Sequence, residues 1–170
     1  MRSLAALVAA VLAFVGCGDG DQLKKMSPLS EAAFMRGANQ ICIAERDMFA
    51  FAAPDFSNAV TPTDFETVWK ANGVVIARGT DQLEELIPPR SDRALVASWL
   101  KARRQVARLY RVNAAQAFAT GDAALQRAVG EEIRAKAARA DAASDRLKLR
   151  RHCSHLRPPE KLSDIVIPPS

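Results

Sequence analysis

Glycine, histidine and the aromatic residues are scarce in this chain. Its 170 residues include eight glycines, two histidines, three cysteines, one tyrosine, two tryptophans and seven phenylalanines. No glycine-rich phosphate loop, GxSxG turn or H-E-x-x-H helix occurs, which removes the hydrolase, nucleotide-binding and metalloprotease chemistries that depend on them. The cysteines form no C-x-x-C pair and no C-x-x-C-H, so a dithiol redox couple and covalent haem attachment are excluded as well. No apolar run reaches the roughly 20 residues that a membrane-crossing helix needs. Period-2 alternation is never sustained, which argues against a sheet. One long segment lacks acid altogether. Between Arg93 and Gly121 there is no Asp or Glu, while Arg93, Lys101, Arg103, Arg104, Arg108 and Arg111 are all basic.

The chain begins with an apolar stretch, Leu4 to Val15, behind Arg2, and the stretch closes on Phe14-Val15-Gly16-Cys17. A run this short reads as a cleaved export signal over residues 1–16 and not as an anchor helix. The closing tetrapeptide resembles the lipobox of bacterial lipoproteins, with Phe14 standing where leucine is usual. That resemblance implies cleavage before Cys17, acylation of Cys17, and a lipid anchor in a bacterial membrane of the cell envelope. An ordinary secretory signal cleaved nearby is the alternative. Residues 17–29 are short, polar and turn-rich and read as a flexible tether. Residues 158–170 carry two Pro-Pro pairs and read as an irregular tail. The domain is expected over 30–157, long enough for one real core.

Four helical segments are expected there. The first runs from Ser30, a good N-cap, to Ala53, with Pro54 as its stop. The second opens on the capping-box pattern Thr63-Asp64-Phe65-Glu66 and runs to Pro88-Pro89. The third is capped by Ser91, continues to about Ala119 and ends at Gly121. The fourth is capped by Asp122 and runs to about Arg151. Apolar residues recur at alternating spacings of three and four. Phe34, Ala38, Ile41 and Met48 mark the first face; Phe65, Trp69, Asn72, Ile76, Gly79, Leu83 and Leu86 the second. Leu95, Trp99, Ala102, Val106, Leu109 and Asn113 mark the third; Leu125, Val129, Ile133, Ala137, Ala140 and Leu147 the fourth. Such stripes turn one face of each helix to constant neighbours. Short connections then favour an all-α, antiparallel up-down-up-down four-helix bundle. Cys42 on the first helix and Cys153 after the fourth meet in that topology, and an exported pair of this kind reads as one structural disulfide. Two free buried thiols are the other possibility.

The order Phe34, Ala38-Asn39, Ile41-Cys42, Leu83, Leu86, Pro88-Pro89, Gly121-Asp122 and a late Cys153 resembles a group of small, uncharacterised bacterial lipoproteins. The resemblance implies a lipobox, an all-helical domain and a paired cysteine. It implies no activity, cofactor or site residue.

Several clusters offer side chains for chemistry. His152-Cys153-Ser154-His155 with Cys42 offers four N/S ligands for zinc, but at spacings unlike those of structural zinc sites. Met35 or Met48 with His152 or His155 has the outline of axial haem ligation in a bundle, whereas Met on an apolar helix face usually packs. Asn72 and Asn113 fall on the core stripes and either line a polar cavity or fix register. No cofactor and no catalytic residue is expected. The unexplained feature is charge: Lys101, Arg104, Arg108 and Arg111 follow 3-4-3 spacing opposite the Trp99-Val106-Leu109 stripe. Arg146, Lys148, Arg150, Arg151 and Arg157 form a second cluster, where basic residues near a helix C-terminus suit its dipole. A solubilising coat accounts for the stripe in one reading. In the other it binds an anionic partner: lipid headgroups, an envelope polymer or an acidic protein, but not nucleic acid in an exported, tethered domain.

Overall fold

The computed structural model describes residues 27–154 and Leu156, without the side chains of residues 52–57 and Arg150. The proposed signal, Cys17, most of the tether, His155 and the Pro-rich tail lie outside the described residues. Those described are all-helical and contain no strand. Helix α1 spans Glu31–Asn58, α2 Pro62–Glu85, α3 Arg93–Arg108, α4 Ala115–Ala119, α5 Ala123–Arg146 and α6 Arg150–Cys153. A 3-10 turn, Arg90–Asp92, leads into α3, and a π-helical segment, Leu109–Ala114, joins α3 to α4.

Helix starts follow capping chemistry, with two corrections. Ser30 accepts a hydrogen bond from the Ala33 N–H, as expected of an N-cap. Asp122 caps α5 by accepting from the Ala124 and Leu125 amides. The capping box of α2 lies two residues earlier than its sequence pattern suggests. Thr61 accepts from the Asp64 amide and Asp64 accepts from the Thr61 amide, with Pro62 in the first helical position. Proline there fixes a helical φ and holds the residue before it extended, so Thr61 becomes the cap. Ser91 does not cap the third helix, because the 3-10 turn already encloses it and Asp92 precedes the helix without a side-chain cap.

Helix ends differ similarly. α1 runs through Pro54 to Asn58. Proline removes one hydrogen bond, but its φ is itself helical, so an established helix can pass through it at a local cost. α5 stops at Arg146, where Lys148 takes φ 58 and breaks the expected continuation to Arg151. The third helical stretch ends as expected, with Gly121 at φ 69.

The core stripes hold, except where phase slips. On α2, Phe65, Trp69, Asn72, Ile76, Gly79 and Leu83 are all buried. On α1 the buried side is Phe34, Ala38, Cys42 and Glu45, while Ile41 is half-buried and Met48 is 45% exposed. On α5, Gln126 is buried in place of Leu125, which is 40% exposed. The largest slip follows the π segment. Its wider turn absorbs one extra residue, so Ala114, Ala117 and Phe118 continue the stripe and Asn113 is exposed. Asn72 remains in the core at 1% exposure, and no protein group pairs with either of its amide atoms among the described residues.

α2 packs on α1, on α3 and on the π segment with α4, and α5 packs on α3. α1 meets the end of the chain through α6, where Cys42 and Cys153 form a fully buried disulfide with a Cα–Cα distance of 5.1 Å. The aromatic residues gather where α2 faces the π segment: Trp69 stands edge-on to Tyr110 at 4.9 Å between ring centroids, and Phe118 lies 5.3 Å from Trp69 and 5.6 Å from Phe65. The Tyr110 hydroxyl donates to the Leu156 carbonyl at 3.0 Å, pinning the chain beyond the disulfide. Burial pushes the Tyr110 phenol well above the ordinary phenolic range.

Candidate functional site

The charged stripe of α3 is where sequence and structure converge on a surface. Lys101, Arg104, Arg108 and Arg111 are all exposed. Arg104, Arg108 and Arg111 line a shallow cleft of about 260 Å³ between α3 and α2, together with Ala77, Asp81, Ala107 and Val112. Lys101 lies one turn before Arg104, outside the cleft lining.

The cleft exists because two helices come very close. A Cβ on Gly73 would stand 2.3 Å from the Arg111 Cγ, 2.8 Å from the Arg111 amide N and 2.9 Å from the Ala107 carbonyl O. Only glycine lets the α3 backbone lie against α2 there, with the stem of Arg111 across it. Ala77 and Ala107 keep the floor low. The walls are charged with both signs. Glu84 on α2 pairs with Arg104, and Asp81 faces the same cleft. Part of the stripe therefore serves helix–helix contact: Arg104 answers α2, while Lys101, Arg108 and Arg111 have no ion-pair partner among the described residues.

A second charged group is one that periodicity did not single out. Arg103 is 0% exposed and Glu45 3% exposed, and the two form an ion pair inside the core. The Arg103 Nε–H also donates to the Thr80 hydroxyl at 3.3 Å, and Thr80 in turn donates to the Ile76 carbonyl at 2.7 Å. The guanidinium lies 5.3 Å from the Trp99 ring centroid. Its Nη1 has no hydrogen-bond partner among the described residues, and burial pulls the Arg103 pKa down against the pull of Glu45. Gly79 makes the room, since a Cβ there would stand 1.8 Å from the Glu45 Oε2. The signal was present in the sequence: Glu45 follows Ala38 and Cys42 on the buried stripe, and Gly79 is a vacancy in the facing stripe of α2.

No family model, curated protein or solved structure matches the chain. Its chemistry must be read from its own side chains. Among the described residues, no three His, Cys, Asp or Glu side chains gather as metal ligands. Cys42 and Cys153 are spent on each other, which removes both thiolates from the zinc set, and His152 is half-buried beside them. Met48 is 45% exposed and Met35 packs against the edge of the core. No described helix is long and apolar enough to cross a membrane.

Proposed function

We propose that this chain is a membrane-tethered lipoprotein of the bacterial cell envelope whose helical domain binds an anionic partner and catalyses nothing itself. The domain is read as an up-down-up-down four-helix bundle of α1, α2, the α3–α4 stretch and α5, a topology supported by their short connections. The anchor is Cys17, acylated after removal of residues 1–16. The observation that carries the binding function is the convergence of Arg104, Arg108 and Arg111 on one cleft, with Lys101, Arg108 and Arg111 lacking an ion-pair partner among the described residues. Closely spaced guanidinium groups raise the local positive potential and draw anions such as carboxylates and phosphates.

Two measurements test this reading. Intact-mass analysis of the membrane fraction is expected to show a chain beginning at an acylated Cys17; a soluble, unacylated chain cut elsewhere would refute the anchor. Affinity capture from intact envelopes at low and high salt tests the partner. The chain with Lys101, Arg104, Arg108 and Arg111 all changed to Glu should keep its helical circular dichroism and lose its salt-sensitive partners. Equal capture by both chains would show the stripe to be a solvent coat.

A further inference from the structure

We propose that the α2–α3 cleft is a side-on docking surface for an anionic phospholipid leaflet, the one that holds the tether; this rests on the membrane-tethered reading above. Glu84 pairs with Arg104, and Asp81 adds one acidic side chain to the cleft lining. The stripe of Lys101, Arg104, Arg108 and Arg111 therefore keeps a positive excess in spite of α2. Beside that charge are two apolar side chains that stay about half exposed among the described residues. Val112 lines the cleft and is 51% exposed, and Val74, next to Gly73 and one turn from Ala77, is 42% exposed. A soluble polyanion would satisfy the cations and leave both valines in water. A leaflet takes both: phosphates meet the arginines and lysine, the valines reach the headgroup boundary, and the flexible stems let the charges stay at phosphate level.

The geometry of attachment allows it. The Leu29 amide donates to the Ile87 carbonyl at 3.0 Å, so the tether enters the domain at the end where α3 begins. Arg111 lies about 27 Å along the helical stretch from Arg93, at a rise of about 1.5 Å per residue. Residues 17–29 can extend to about 40 Å. The tether is longer than the offset, so the bundle can lie on its side against the surface that anchors it. Tethering also raises the effective concentration of that surface, so a weak attraction suffices.

The test uses the full chain purified from membranes, with an environment-sensitive fluorophore on Val112→Cys and, as control, on Ala135→Cys on the exposed side of α5. Each is placed with vesicles of phosphatidylcholine alone or with phosphatidylglycerol added, both containing nitroxide-labelled lipid. Quenching is expected at position 112 only, only on the anionic vesicles, and only at low salt. Each basic residue at an anionic surface counts for about fivefold in partition. Changing Arg108→Glu and Arg111→Glu together should therefore lower the docked-to-undocked ratio roughly 25-fold or more. A chain that floats with both kinds of vesicle but leaves the position-112 label in water overturns docking and leaves the tether standing. A chain that does not float with phosphatidylcholine vesicles overturns the tether, and docking is then decided by whether added anionic vesicles quench the label. A label that stays unquenched on lipid but shifts its emission with soluble polyglutamate overturns the proposal in favour of an acidic protein partner.

Discussion

Two side chains, Arg103 and Glu45, carry more of the outcome than their size suggests. Both are taken out of water, and each is tolerable only because the other is there. Removing one partner leaves a buried, uncompensated charge. Glu45→Gln or Arg103→Met alone is expected to cost about 3–5 kcal/mol in urea unfolding, while Glu45→Leu combined with Arg103→Met should cost less than either. If the losses simply add, the pair is not coupled. Asp64 offers a milder test on the surface. Hydrogen bonds from the Thr61 backbone, its side chain and the Val60 backbone hold its carboxyl below its ordinary 3.8. A lowered carboxyl pKa stabilises the fold above the unfolded value, and that contribution fades as pH falls through the folded one. The stability gap between the natural chain and Asp64→Ala should therefore be full at neutral pH and shrink below about pH 4; a gap constant from pH 7 to pH 2 would refute the capping role.

Among the elements, α2 is the axis on which the others are placed, and its glycines set the distances. Gly73→Ala would force α2 and α3 apart, because two of the atoms its Cβ would meet are backbone. Overpacking of that kind typically costs about 1–3 kcal/mol. Chemical unfolding should show the loss, along with weaker anion binding as the Arg111 stem is displaced. The helices themselves were legible from sequence, because three-four spacing along α2 marks six of its nine buried residues, missing Val68, Gly73 and Thr80. The charged stripe was legible too, since 3-4-3 spacing survives folding. Three things were not. The π segment has no composition of its own: Leu109 to Ala114 reads like any helix, and tertiary packing on either side of it is not written in that stretch. The buried ion pair hid because Arg103 reads as one more cation in a basic helix. The Arg104–Glu84 contact depends on how two helices are rotated against each other, which periodicity leaves open.

At the scale of the molecule, the Cys42–Cys153 bridge closes nearly the whole domain on itself, its ends standing 111 positions apart in sequence. Loops of that size correspond to about 4–5 kcal/mol in the chain-entropy model, an upper figure because strain and residual structure reduce it. Peptide mapping without reductant should recover the two cysteines linked, and reduction should lower the guanidine midpoint. Full alkylation of both thiols in protein taken directly from cells would contradict the bridge. Beyond stability, it ties α1 to the chain after α5, so a pull on the proposed tether would be shared between both ends of the fold.

The wide turn at Leu109–Ala114 is the mark that one surplus residue leaves when a helix on either side is already committed to its neighbours. Neither half can rotate by 100° without exposing Val106 or Phe118, so the bulge keeps both faces in phase. Removing one residue should close it. A chain lacking the exposed Asn113 is expected to close Leu109–Ala114 into ordinary α-helix and keep Phe118 against Trp69. The same deletion at Ala102 should rotate half of a buried face into water and unfold the domain.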